Sequence, residues 1–201
     1  EASDKGVSVP LLLEPDESVF IVFHGTDEIA QQRANFPEKE VAATLKGAWT
    51  VAFDAAQRGP ATPQAFVDLT SWTESKDDAI RYYSGTATYT NTLKLKRKPK
   101  GCIYLDLGRV MVMARVYVNG QYAGGAWAYP YRVEVSQLLR KGKNDIRIEV
   151  VNNWQNRLIG DQQLPEDQRP TWTSVNPWHA DSPLQESGLL GPVRLLTYGT
   201  E

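Results

Sequence analysis

Short runs in which apolar and polar residues alternate recur along the chain, and the 3.6-residue spacing of an amphipathic helix is nearly absent. Trp49, Val51 and Phe53 alternate with Thr50 and Ala52. Ala87, Tyr89, Leu93 and Leu95 share one face of a predicted strand whose other face carries Thr86, Thr88 and Thr90. Ile103, Leu105 and Leu107 alternate with Tyr104 and Asp106, and Val112, Ala114, Val116 and Val118 with Met113, Arg115 and Tyr117. Asn119-Gly120 then supplies the pair that best accepts the positive φ of a tight type I′ hairpin turn, with Gln121–Ala126 as the return strand. Ile146, Ile148 and Val150 mark a further strand and Val193–Thr197 the last one. Ser136–Arg140 is expected to form one helical turn and Lys141–Asn144 a tight turn. A period of two gives each sheet one face on the core and one facing out. Many short strands without long helices predict an all-β fold, an antiparallel β-sandwich.

Outside this dense region the pattern changes. Val19–Phe23 is an apolar run after Pro15-Asp16-Glu17-Ser18 and is predicted to be a strand. Residues 25–43 are polar, with Gln31, Gln32, Asn35 and Pro37, and are expected to be a linker. Arg58–Ser84 is a long polar stretch containing prolines.

Composition narrows the function classes. Hydrophobic residues make up 41%, charged residues 23% and aromatics 10%, which are globular values. The 22 basic and 24 acidic residues are mixed along the chain, so no basic stripe points to nucleic acid and no polybasic amphipathic face to a membrane. The densest charge run, Lys94, Lys96, Arg97, Lys98 and Lys100, is read as a solvated turn. The single cysteine, Cys102, excludes an internal disulfide and a cysteine-based zinc site, and is expected to be a small buried hydrophobe. No run approaches the ~18 apolar residues of a membrane-spanning helix. The opening Glu-Ala-Ser-Asp-Lys is no signal peptide, and reads as the interior of a longer chain.

Chemistry-bearing patterns are few. Glycoside hydrolysis needs two carboxylates about 5–10 Å apart. Glu74, Asp77, Asp78, Asp161, Glu166, Asp167, Asp181 and Glu186 all fall in polar loops, and no spacing selects a pair. Neither His24 nor His179 accompanies a nucleophile elbow, and phosphate-binding glycine loops are absent. The unusual segment is 152–188, which holds Trp154, Trp172 and Trp178 with Asn152, Asn153, Asn156, Arg157, Asp161, Gln162 and Gln163. Flat apolar rings suit the C–H faces of a sugar, and amide, guanidinium and carboxylate groups suit its hydroxyls. The same residues would also serve to pin a long loop to the sandwich. A structural Ca²⁺ on loop carboxylates is a further use, with no ligand spacing to mark it.

Several segments resemble a known family. "YYSGTATYTNTL" (82–93), "IYLDLGRVMVMARVYVNGQYAGGAW" (103–127), "YPYRVEVSQLLRKGKNDIRIEVVNNW" (129–154) and "SGLLGPVRLL" (187–196) are similar to the galactose-binding-like, jelly-roll sugar-binding domain of multidomain glycoside hydrolases of the β-galactosidase and α-L-rhamnosidase kinds. With "DLTSWTE" (68–74) and "NNWQNRLIGDQQLP" (152–165), they look closest to the C-terminal domain of family 106 α-L-rhamnosidases. "VSVPLLLEPDESVFIVF" (7–23) resembles the strand that ends the domain before it.

The resemblance implies two parts: residues 1–43, a strand and linker of a preceding β-domain, and residues 44–201, the sandwich. It implies a non-catalytic accessory domain of a bacterial enzyme that is secreted, periplasmic or on the cell surface. No residue of this chain would be catalytic and no cofactor is expected beyond the Ca²⁺ already named. The expected partners are a rhamnose- or galactose-containing polysaccharide and the catalytic barrel of the same chain, with no nucleic acid and no membrane. Asn152–Asp161 and Glu186-Ser187 would then lean over that barrel. Asn152, Asn153, Trp154, Arg157, Asp161, Trp172, Trp178 and Glu186 are thus the expected carbohydrate-binding or interdomain residues. An autonomous carbohydrate-binding module and a purely structural docking domain remain open beside this reading.

Overall fold

The computed structural model describes residues 2–3, 6–22 and 38–198. A small ladder joins β1 (Ala2–Ser3) to β2 (Gly6–Val7). The strands that follow are β3 (Lys39–Thr44), β4 (Trp49–Phe53), β5 (Gln64–Phe66), β6 (Thr86–Leu95), β7 (Cys102–Asp106), β8 (Arg109–Met111) and β9 (Met113–Val118). Then come β10 (Gln121–Ala126), β11 (Arg132–Glu134), β12 (Gly142–Val151), β13 (Gly188–Gly191) and β14 (Arg194–Tyr198). Two short helices, α1 (Asp78–Arg81) and α2 (Gln155–Asp161), lie in the connections.

A six-stranded sheet runs in the order β10-β9-β12-β6-β4-β5, and a four-stranded sheet in the order β11-β7-β14-β3, with a separate β13-β8 pair. Every ladder between these strands is antiparallel. The inward side chains of the two sheets meet in one core. Val51, Ala87, Tyr89, Val116, Ile148 and Val150 come from the first sheet, and Ile103, Leu105 and Leu195 from the second. The antiparallel sandwich predicted from the alternation is therefore the fold.

The Asn119-Gly120 turn has φ of 52° and 83°, as a type I′ hairpin requires. Asn144 does more than end a turn. It is wholly buried, accepts from the Arg140 amide and donates to the Arg140 carbonyl, which ties the 140–144 corner to Asn119.

Several expectations are corrected. Cys102 is exposed: once Ile103 and Leu105 face inward, the alternation sends Cys102 and Tyr104 to the other side. Val112 is partly exposed, because it lies at the break between β8 and β9, where the chain passes from one ladder to another; Val110 is the buried residue there. Residues 39–43 are no linker. They belong to β3, which pairs with β14, so the boundary expected at residue 43 falls inside a strand of the sandwich. Val19–Val22 makes no strand among the described residues, since an apolar run becomes one only where a sheet edge accepts it; Phe23 and residues 25–37 lie outside the described residues. Ser136–Leu138 closes as a turn rather than a helix, with the Leu138 and Leu139 amides both donating to the Val135 carbonyl.

The segment before β3 is fixed to the sandwich through Glu14. Its carboxylate takes two prongs of the Arg132 guanidinium, at 2.8 and 3.1 Å, and accepts from Lys39 at 2.6 Å and the Tyr129 hydroxyl at 3.2 Å. Arg132 also faces Asp106 and donates to the Tyr198 hydroxyl, so the outer face of all four strands of the smaller sheet joins this cluster. The bonds from Arg132 and then Lys39 hold the Glu14 carboxyl at about 2, down from 4.5. A lowered carboxyl contributes its stabilisation above its ordinary value and loses it as pH falls through the lowered one. Amide exchange across residues 11–22, relative to intrinsic rates, should therefore rise as pH drops from 4.5 toward 2, and at neutral pH in Glu14→Gln, while β12 amides stay protected.

Gly188 marks a tight crossing in the core. Its φ is +100°, and a Cβ there would meet the Trp72 indole and lie 2.8 Å from the Tyr89 hydroxyl. Gly188→Ala should lower stability by about 3 kcal/mol, read as a shifted urea midpoint at unchanged slope.

Candidate functional site at the loop-bearing end

Strand register places several chain breaks at one end of the sandwich. Val151 at the close of β12 lies between Thr86 at the start of β6 and Met113 at the start of β9. Ala126 at the close of β10 lies opposite Ala114, and Phe53 at the close of β4 opposite Ala87. The segment 152–187 leaves and returns at this end.

It is held by side chains that reach backbone groups. Asn152 accepts from the Gly85 amide at 3.0 Å and donates to the Tyr83 carbonyl at 2.8 Å and to Ser187. Ser84 donates to the Asn153 carbonyl. Asn156 brackets Gln185, accepting from its amide at 2.8 Å and donating to its carbonyl at 2.6 Å. Ser187 donates its amide to the Ser71 hydroxyl, while its carbonyl accepts from the Trp72 amide. Gly160 lets α2 lie against Tyr82, since a Cβ there would come within 2.5 Å of the ring.

The expected site residues separate into two groups. Asn152 and Asp161 are buried and structural, Asp161 accepting from the Thr171 amide at 3.0 Å. Asn153 is exposed and spans Gln185 and the Gln155 amide. Glu186 is exposed and pairs with Arg109. Trp178 is half-buried, its amide donating to Asn176. Trp154 and Trp172, by contrast, are 63% and 84% exposed on an otherwise fixed loop. Arg157 is half-buried. Burial lowers the pKa of its guanidinium and the nearby Asp161 charge opposes that, while one of its nitrogens, Nη2, is buried without a partner among the described residues.

Sequence reasoning missed Trp127, which is 75% exposed, and its neighbours Val112 and Met113. Counting back from the Asn119-Gly120 hairpin, with one residue for the bulge after Tyr122, carries residue 127 to the level of Met113 and hence to this end. Asn156, noted in the segment but not among the expected site residues, closes the loop with its amide. Among the described residues no three His, Cys, Asp or Glu side chains form a group that could hold a metal ion. Three of the eight loop carboxylates are engaged locally: Asp77 caps α1, Asp161 holds Thr171, and Glu186 meets Arg109.

The model of the glycosyl hydrolase 2 galactose-binding domain-like family matches residues 67–184. The chain belongs to this family. The resemblance read from its motifs is borne out at that level. The galactose-binding-like chain is 41% identical to the rhamnosidase from Novosphingobium sp. PP1Y, with a TM-score of 0.76 over 86% of this chain and 16% of that one. It is 33% identical over 177 residues to a Formosa agariphila protein named "Putative beta-glucuronidase", covering 75% of this chain and 15% of the relative. The β-glucuronidase of Ruminococcus gnavus shares the fold, with a TM-score of 0.57 at 18% identity over 83% of this chain and 30% of that one. The chain thus spans less than a third of the length of each of these proteins.

The two groups of residues at this end should respond oppositely to truncation. Asn152→Ala leaves the Gly85 amide without its acceptor and should cost about 2–3 kcal/mol of stability. Trp172→Ala touches little and should stay within about 0.5 kcal/mol. Chemical denaturation of both variants measures the contrast.

Proposed function

We propose that this galactose-binding-like chain is a non-catalytic accessory domain of a secreted, α-L-rhamnosidase-like glycoside hydrolase of bacterial origin. Its loop-bearing end packs on a catalytic barrel elsewhere in that enzyme and completes the substrate pocket. The observation that carries the reading is the presence at one end of the sandwich of exposed Trp127, together with exposed Trp154 and Trp172 and the half-buried Arg157 on a loop bonded at both its ends; Arg157 Nη2 lacks a partner among the described residues. Side chains free on a fixed frame suit contact with something outside the domain. The 41% identity to a rhamnosidase supports the choice of parent enzyme. Residues preceding β3 then serve as the joint to a preceding domain, with Glu14 as its anchor.

A second reading rests on the same tryptophans: Trp172, at 84% exposure, offers a flat face for a sugar ring without help from a barrel, as an autonomous carbohydrate-binding module would need.

In the full-length enzyme Arg157→Ala should lower kcat/KM by about 10- to 100-fold, a loss of about 1.4–2.7 kcal/mol of transition-state stabilisation. An unchanged kcat/KM removes Arg157 and its loop from the pocket. Isothermal titration of the 201-residue chain with rhamnose, galactose and neutral rhamnose-containing oligosaccharides should give no saturable heat. Saturable heat that disappears in Trp172→Ala makes the chain an autonomous module instead.

A further inference from the structure

The end of the sandwich opposite the loops carries a cleft of about 780 Å³. Lys94, Lys96, Arg97, Lys98 and Lys100 line it, with Glu40 the one carboxylate among the lining residues. The charge run that the sequence presented as a solvated turn is exposed, as expected, but it folds around a concavity and not over a smooth corner. One wall is the chain leaving β6, and the other is the edge strand β3, bulged where its register with β14 slips between Leu195 and Leu196. The side chains of Leu95 and Pro99 contribute apolar surface between the charges.

None of the five cations takes part in an ion pair or side-chain hydrogen bond among the described residues. Elsewhere Lys39, Arg109, Arg115, Arg132, Lys143 and Arg147 each face a carboxylate. Five like charges against one opposite charge repel one another, and an anionic ligand relieves that repulsion. A cleft of this volume is of the size that encloses a small ligand or a few units of a polymer. Ammonium groups and one guanidinium fork suit oxyanions, while the apolar stems and Pro99 suit C–H faces. A chain with a net charge of −2 and charges otherwise mixed has no extended basic stripe for a nucleic-acid backbone, so a short, local anion site fits better.

We propose that this basic cleft binds an acidic oligosaccharide, through carboxylate or sulfate-ester groups on its sugars. The proposal rests on the reading of the domain as part of a polysaccharide-degrading hydrolase. β6 runs from the loop-bearing end to this cleft, and its ten residues at about 3.3 Å each separate the two by roughly 30 Å. The cleft thus stays open to the polymer while the other end is docked.

The test uses the 201-residue chain in affinity electrophoresis with polygalacturonate, dextran sulfate, neutral dextran and duplex DNA. Retardation by polygalacturonate or dextran sulfate, and not by neutral dextran or DNA, is expected; whichever polymer retards identifies the acid group. Raising salt from 50 to 500 mM should weaken it about tenfold, because exposed charges are screened over a few ångströms at high salt. Lys96→Glu/Lys98→Glu should abolish it, with unfolding transitions confirming an intact fold, and Arg157→Ala should leave it unchanged. No retardation by either acidic polymer, equal retardation by neutral dextran, or stronger retardation by DNA overturns the proposal. If the acidic polymers fail while Arg157→Ala still lowers kcat/KM in the full-length enzyme, the cleft proposal alone falls.

Discussion

The wholly buried hydroxyl of Tyr89 accepts from the Trp72 indole at 2.5 Å and from the Leu189 amide at 3.2 Å, and the rest of the loop-bearing end is built on that junction. Burial pushes the Tyr89 phenol up to about 12, against the two accepted bonds, which pull it down. Trp72 comes from the polar stretch before β6, Tyr89 from the centre of the larger sheet, and Leu189 from the strand that ends the long loop. A buried polar group without partners is costly, which fixes the three segments in one arrangement. Gly188 beside them leaves room for the indole, and Ser187 one residue earlier bonds Ser71 and Asn156.

From that junction outward, the long connection becomes a frame. Asn152 and Asn156 bond its two ends, and Gly160 presses α2 onto Tyr82. Because the backbone of 152–187 is bonded internally near both ends, Trp154 and Trp172 have no structural duty and face outward. The two ends of the sandwich therefore differ in chemistry. One presents aromatic surface with Arg157, and the other presents five cations around a cleft. The outer face of the smaller sheet has a third role, gathering Arg132, Asp106, Tyr198 and Lys39 around Glu14.

The candidate site was only partly legible in the sequence. The tryptophan- and amide-rich segment stood out by composition, and Trp154 and Trp172 are indeed its free surface. Composition could not separate the inward amides from the outward ones, for Asn152 turns to Tyr83 and Gly85 while its neighbour Asn153 is exposed. Nor could it find Trp127, which joins this end only through the hairpin register and sits far from the loop in sequence. The lysine run was legible as exposed charge, but its concavity depends on β3, a strand distant in sequence that read as linker.

The sequence by itself determined the sandwich, because strict alternation, β-branched residues and the Asn119-Gly120 turn act locally and leave each strand one apolar face to bury. It likewise determined that Ile103 and Leu105 share a face, and the same alternation places Cys102 on the other side. Tertiary structure decided the rest. An apolar run becomes a strand only if a sheet edge receives it, so Val41 in β3 found β14 while Val19–Val22 found no ladder among the described residues. A polar side chain becomes frame or free surface according to which backbone groups long-range packing brings to it. That pairing is non-local, and no short stretch of sequence contains it.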